Sequence, residues 1–356
     1  MNIVGADRTD RIVIAVTKKG SQLALDLAAQ LPARVLVPLR FLESPMDPRG
    51  YLTSVSQVVQ EAFVKYSALI LIMASGVAVR SVAPVLRDKR TDPAVIVLDE
   101  EGRFVISLLS GHLGGANRLA EEIAGLTGGT AVITTASDLN KLPSLDLLAK
   151  RLHLGIENSY RLTEFAGAIV NGDPLVLWDR WGLPEQWPEH VRVVNGPDLT
   201  LSAREKFLII AGYQEYPSLP SGTAVLALRP ACLVVGIGCC KGVPGVKIIG
   251  AIRRYFRERH WATGSIKTIA TIDLKAQEPG IVEACQEFKV PLVTFSEAKL
   301  QTVMTGLQHS DFVEDTVGVG GVCEPAAILG AGNGRLIGTK DNLGQITLAV
   351  ALLPGH

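Results

Sequence analysis

Short apolar runs along this chain alternate with polar loops and with helical stripes of leucine, valine and alanine. Arg11–Val16 (RIVIAV), Arg34–Pro38, Ala68–Met73, Ala94–Leu98, Phe104–Leu109 and Ala131–Thr134 have the length and composition of buried strands. Leu23, Leu27 and Leu31 stand at helical spacing over Ser21–Leu31, which Pro32 closes, with Thr17-Lys18-Lys19-Gly20 as the turn before it. Val55, Val58, Val59, Ala62 and Phe63 stripe a second helix. Strands alternating with helices predict a doubly wound, mostly parallel α/β sheet over residues 1–141. In such a sheet the loops leaving the C-terminal strand ends face one crevice, and the polar loops between Ser75 and Asp138 are expected to share it.

The pattern changes twice more. Residues 142–230 hold Trp178, Trp181, Trp187, many prolines and shorter periodic runs. Helices are expected at Leu145–Leu152 and Leu162–Ile169, and strands at Leu175–Trp178, Val191–Val194, Phe207–Ala211 and Ala224–Leu228. This reads as a small connecting α/β domain. Residues 231–356 open with a buried strand, Leu233–Ile237, running into Gly238-Cys239-Cys240-Lys241-Gly242. A helix follows at Ile248–Phe256, with Ile249, Ile252, Arg253 and Phe256 along one side. A strand at Pro291–Phe295 and a closing pair, Leu336–Lys340 and Gln345–Ala351, complete a second α/β domain.

Composition narrows the classes. Of 356 residues 47% are apolar, enough for several cores, and 35 basic residues balance 35 acidic ones. A neutral chain with no basic tract gives no electrostatic footprint for nucleic acid. The acidic and basic start of the chain lacks a signal core, and the longest greasy stretch is too short for a bilayer. Five cysteines at 232, 239, 240, 285 and 323 form no CxxC pair, which suits a reducing cytoplasm better than a disulfide framework or structural zinc.

The candidate chemistry lies in loops. Ser110-Gly111-His112-Leu113-Gly114-Gly115-Ala116-Asn117 puts three glycines, a hydroxyl, an imidazole and an amide before an amphipathic helix. Glycines let backbone approach a ligand, and N–H groups at a helix start favour an anion. The plain alternative is a tight turn in which Ser110 or Asn117 caps the helix. His112 is the one histidine in a glycine-rich loop and suits general acid/base work. Arg87-Asp88-Lys89-Arg90-Thr91-Asp92 packs three cations and two anions into six residues and reads either as a solvated, internally paired loop or as a carboxylate clamp. Gly236–Gly242 fails the dinucleotide fingerprint, leaving Gly238 and Lys241 as a ligand-facing loop with one cation. Asp273, Lys275 and Glu278 follow a strand and Glu324 opens a helix, positions where carboxylates are often only dipole partners.

These pieces together resemble the cobalt-precorrin-5A hydrolase (CbiG) family of the oxygen-independent cobalamin route. The matching segments are ASGVAVR (Ala74–Arg80), Asp88–Thr135 including SGHLGGAN, GIGC (Gly236–Cys239), DLKAQEPG (Asp273–Gly280) and VCEPAAILGAG (Val322–Gly332). Cys240 and Val243-Pro244 depart from the basic and hydroxyl residues the family often shows there. The third domain also resembles one that occurs alone in the aerobic pathway.

The resemblance implies a hydrolase that opens a δ-lactone with water and releases acetaldehyde, contracting the macrocycle. His112 would be the base, Gly114 and Gly115 N–H groups the oxyanion donors, and Asp88 or Glu324 the elimination acid/base. Gly76, Arg80, Arg87, Lys89, Arg90, Ser110, Gly111, Asn117, Gly238, Lys241, Asp273 and Lys275 would meet the substrate's carboxylate rim. Cobalt arrives in the substrate, so no cofactor and no protein metal site are expected. Nucleic acid and membrane are not expected partners, whereas other enzymes of the pathway and a second copy of the chain remain open. The rival from another class is a non-catalytic tetrapyrrole carrier.

Overall fold

The computed structural model describes residues 10–88, 91–111, 114–134, 142–216, 218–304 and 320–355, and the elements are numbered over those residues. The chain forms two compact units, one ending at Leu147 and the other beginning at Leu148.

The first unit is built on a seven-stranded sheet ordered β3-β2-β1-β4-β5-β6-β7. The strands are β1 (Arg11–Ala15), β2 (Ala33–Pro38), β3 (Gly50–Tyr51), β4 (Ala68–Ile72), β5 (Ala94–Leu98), β6 (Phe104–Leu109) and β7 (Thr130–Val132). Both faces of β4 and β5 are buried, which is why their sequences are unbroken apolar runs rather than alternating ones. Helices α1 (Lys18–Gln30) and α4 (Ala116–Thr127) cover one face, through Ala24, Leu27, Leu119, Ala120 and Ile123. Helices α2 (Val55–Lys65) and α3 (Ser75–Val82) cover the other through Val58, Val59, Phe63, Ala78 and Val82. The sheet is therefore doubly wound and mostly parallel. The expected turn at Thr17–Gly20 is instead the start of α1, because the Thr17 side chain accepts the Gly20 N–H at 3.0 Å and caps it.

One direction corrects the expected crevice. β6 runs antiparallel to β5, pairing Leu109 with Val95, so its C-terminal end lies where β5 begins. The loop after β6 therefore leaves the opposite edge of the sheet from the loops after β4 and β5. An apolar run reports burial and not direction, so this was not readable in the sequence.

The second unit carries two five-stranded sheets. In the first, ordered β10-β9-β11-β12-β8, the strands β9 (Leu175–Asp179), β10 (Val191–Val194), β11 (Phe207–Ala211) and β12 (Ala224–Pro230) are parallel, and β8 (Leu154–Glu157) is antiparallel. Helices α5 (Leu145–Arg151) and α6 (Leu162–Asn171) stand where the periodicity places them. In the second sheet, ordered β15-β14-β13-β17-β16, the strands β13 (Leu233–Cys239), β14 (Ile266–Ile272) and β15 (Leu292–Phe295) are parallel. The antiparallel pair β16 (Arg335–Asn342) and β17 (Ile346–Leu352) joins at β13. The remaining helices are α7 (Gly245–Glu258), α8 (Pro279–Phe288), α9 (Glu297–Gln301) and α10 (Cys323–Gly330). In α7 the buried side is Ile248, Ile252, Tyr255 and Phe256, with Ile249 half-buried and Arg253 exposed. No described helix is long and apolar enough to cross a membrane.

Arg229, on β12, ties the first of these sheets to the loop after β11. Its side chain is 4% exposed; Nε donates to Glu157 Oε2 at 2.9 Å, and Nη1 donates to the Gly212 and Gln214 carbonyls at 3.0 and 2.8 Å. Gln214 also bridges to Trp261 in the last domain.

Candidate functional site

Ser110, the residue after β6, has φ +57°, a left-handed conformation unusual for a residue with a Cβ. Its Oγ donates to the Asp92 carbonyl at 3.0 Å. The turn then closes on the first N–H groups of α4: Ala116 N donates to the Ser110 carbonyl at 3.2 Å and Asn117 N to Gly111 at 3.1 Å. A Cβ on Gly111 would press on the Asn117 amide, and one on Gly114 would collide with Ser110. Gly115, at φ +82°, caps the helix. These glycines thus have a structural reason within the turn itself. Asn117 is 9% exposed and accepts from Ser107 Oγ at 2.5 Å.

Asp92, the second anion of the charged loop and not among the expected site residues, joins this turn to that loop. Its carboxylate accepts the Arg87 N–H at 3.0 Å, while the Thr91 and Asp92 N–H groups both donate to the Asp88 carbonyl. Arg87 is exposed and Asp88 half-buried. The structure therefore brings Arg87, Asp88, Ser110, Gly111, Gly114 and Gly115 to the edge where β5 starts. His112, Lys89 and Arg90 lie outside the described residues. Gly76 and Arg80 belong to α3, which begins at the C-terminal end of β4, and Arg80 Nη1 donates back to the Gly76 carbonyl at 3.1 Å. They fall at the other edge from Ser110.

The last domain has its own cluster. β13 runs through Cys239, so Gly238 is a strand residue rather than a loop one; its carbonyl accepts from Thr347 Oγ1 at 3.3 Å. Beyond it, Glu278 binds two loops together: Oε1 accepts the Gly242 N–H at 2.6 Å and Oε2 the Lys275 ammonium at 2.9 Å. Glu278 is 8% exposed, and the Lys275 hydrogen bond, with that of Gly242, lowers its carboxyl pKa below the ordinary glutamate value. Close packing supports the clamp, since a Cβ on Gly280 would strike the Val243 carbonyl. Lys241 and Asp273 are exposed beside it. The helices α7 and α8 both begin here, so the edge combines two lysines with two helix N-termini, a setting that favours carboxylates.

Glu324 is 3% exposed and accepts the Lys340 N–H at 3.0 Å, fastening α10 to β16. Burial pushes the Cys239 and Cys323 thiols up to about 11, so neither is poised as a thiolate.

Three family models match successive parts of this α/β chain: cobalamin synthesis G N-terminal over residues 57–138, cobalamin biosynthesis central region over 143–230, and cobalamin synthesis G C-terminus over 233–351. The cobalt-precorrin-5A hydrolase of Priestia megaterium is 32% identical over 362 residues, covering 98% of this chain and 96% of that protein. Its counterpart in Salmonella typhimurium is 34% identical, covering 95% and 97%. Protein CobE of a Sinorhizobium species is 34% identical over 117 residues, covering 32% of this chain and 76% of CobE. The sheets and loop clusters are those of a multidomain α/β protein related to cobalamin biosynthesis proteins. Within that class, the chain belongs to the cobalt-precorrin-5A hydrolase (CbiG) family.

Proposed function

We propose that this chain is a cobalt-precorrin-5A hydrolase, using water to open the δ-lactone of a cobalt corrinoid and releasing acetaldehyde. The observation that carries this reading is identity of 32% across 98% of the chain to a protein of that name. The geometry supports it. A corrinoid is an apolar disc rimmed by acetate and propionate groups. The edge bearing Lys241, Lys275 and two helix N-termini, and the turn bearing Arg87, both suit such groups.

For the chemistry, His112 is the base that takes a proton from the attacking water. Gly114 and Gly115 supply N–H donors to the oxyanion, because the next two N–H groups are already bonded within the turn. Of the two carboxylates considered for the elimination, Asp88 is the choice, since Glu324 is buried and bonded to Lys340. Cobalt enters as part of the substrate and the protein supplies no cofactor. The described cysteines are all free thiols, which supports a cytoplasmic setting. The reading is tested by incubating the purified chain anaerobically with cobalt-precorrin-5A and following acetaldehyde through an NADH-coupled alcohol dehydrogenase.

A further inference from the structure

The strand order β10-β9-β11 means the chain adds β10 on one side of β9 and then returns to place β11 on the other. Between β9 and β11, which are parallel and in register from Leu175–Phe207 to Asp179–Ala211, the order reverses. Loops leaving the C-terminal ends of two such strands part, and the gap is where open α/β sheets bind ligands. Here the gap is a cavity of about 490 Å³ whose lining includes Trp178, Arg180, Gln214, Tyr216 and Arg259.

Its wall is apolar and fixed. Trp178 and Tyr216 pack edge to face at 5.6 Å, and their polar atoms are already used, Trp178 Nε1 on the Gly196 carbonyl and Tyr216 Oη on the Leu199 carbonyl. Its cations are fixed too. Arg180 Nη1 donates to the Asn195 carbonyl at 2.9 Å; Arg259 lies 3.6 Å over the Tyr255 ring, donates Nη1 to the Tyr255 carbonyl at 3.2 Å and pairs Nη2 with Asp341 at 3.6 Å. Each guanidinium has further N–H donors beyond those contacts. Gly212, at φ +139°, allows the chain to pass where a Cβ would meet the Gln214 amide at 2.8 Å and Arg180 at 3.0 Å. Gln214 Oε1 is buried with no hydrogen-bond partner, and such a group asks for a donor from elsewhere. Asp198 and Glu215 are the carboxylates of the lining.

We propose that this crevice is a subsite for a carboxylate arm carried on an apolar ring. Arg180 and Arg259 receive the carboxylate, Trp178 and Tyr216 the ring edge, and Gln214 Oε1 a ligand N–H or O–H. The proposal rests on the corrinoid reading above, since a corrinoid rim carries such arms.

Uroporphyrin, a tetrapyrrole with acetate and propionate arms and no cobalt, serves as the probe. It is titrated into the full chain and followed by quenching of tryptophan fluorescence. Arg180→Met is expected to weaken binding about 10-fold or more, the loss of a charge-assisted hydrogen bond. Asp198→Asn removes an exposed anion from the lining and is expected to tighten binding by about 2- to 5-fold. Asp198→Asn disturbs no described contact, so it decides the matter if Arg180→Met folds poorly. Unchanged affinity in both variants, or no binding to the parent chain, overturns the subsite. Acetaldehyde release by the parent chain is scored separately: its loss with both binding effects intact removes the hydrolase reading and leaves the crevice standing.

Discussion

Ser110 Oγ donates to the Asp92 carbonyl across eighteen residues of chain, at 3.0 Å, and so ties the glycine-rich turn to the Arg87–Asp92 loop. Two segments that look independent in the sequence form one edge of the first sheet. The hydroxyl is held there at φ +57°.

That geometry sets a paired prediction. Ser110→Gly relieves about 1 kcal/mol of left-handed strain and loses a hydrogen bond of similar net worth, so stability should stay within about 1 kcal/mol of the parent. Ser110→Ala keeps the strain and loses the bond, costing about 1 kcal/mol. Gly114→Ala should cost more than either, because its Cβ would collide with Ser110. Urea unfolding of the three variants gives the order, and an alanine at 110 that outperforms glycine would contradict it.

Glu278→Gln should destabilise the chain by about 1–2 kcal/mol at neutral pH, through weakened bonds to Lys275 and Gly242. The sign with pH follows from the lowered carboxyl pKa. The stabilisation is present above the unfolded value of about 4.3 and is lost as pH falls through the lower folded value. Denaturation curves of parent and variant should therefore converge in acid, and a gap that widens there would refute the ion-pair account.

Arg229→Met should cost about 2–3 kcal/mol. It leaves the Gly212 and Gln214 carbonyls without their donor, while Glu157, 40% exposed, keeps access to water. A melting temperature unchanged from the parent would show that this buried cation is dispensable.

How much was legible varied with the physics behind each feature. β1, β4 and β5 were plain because strands buried on both faces must be continuously apolar. β8 went unseen, since Leu154–Glu157 is four residues with a glycine and a glutamate and pairs only at an edge. β14 was read only at its end, because Lys267, Thr268 and Thr271 interrupt its apolar pattern. Asp92 and Glu278 were not chosen as site residues, because their roles depend on N–H groups brought close only by the fold. Glu324 illustrates the converse: a carboxylate at a helix start whose burial and Lys340 bond explain it without a ligand.

Lys241→Ala should leave the melting temperature unchanged, because Lys241 is exposed. The KM for the corrinoid should rise about 5- to 10-fold with little change in kcat, the pattern of lost ground-state binding to one carboxylate. A fall in kcat at constant KM would move Lys241 from binding to the chemical step.

His112→Gln should keep the fold and most corrinoid affinity while lowering turnover about 100- to 10,000-fold. The parent rate should decline as pH falls through the imidazole range, because a protonated ring accepts no proton. A variant within a few-fold of the parent would end the assignment of His112 as base.

The central claim meets its most direct test in the stoichiometry of acetaldehyde. With purified enzyme and cobalt-precorrin-5A in the absence of oxygen, acetaldehyde should appear mole for mole with corrinoid consumed, at an initial rate proportional to enzyme. Stoichiometric corrinoid binding with no aldehyde above the enzyme-free control would contradict the hydrolase and make the chain a carrier.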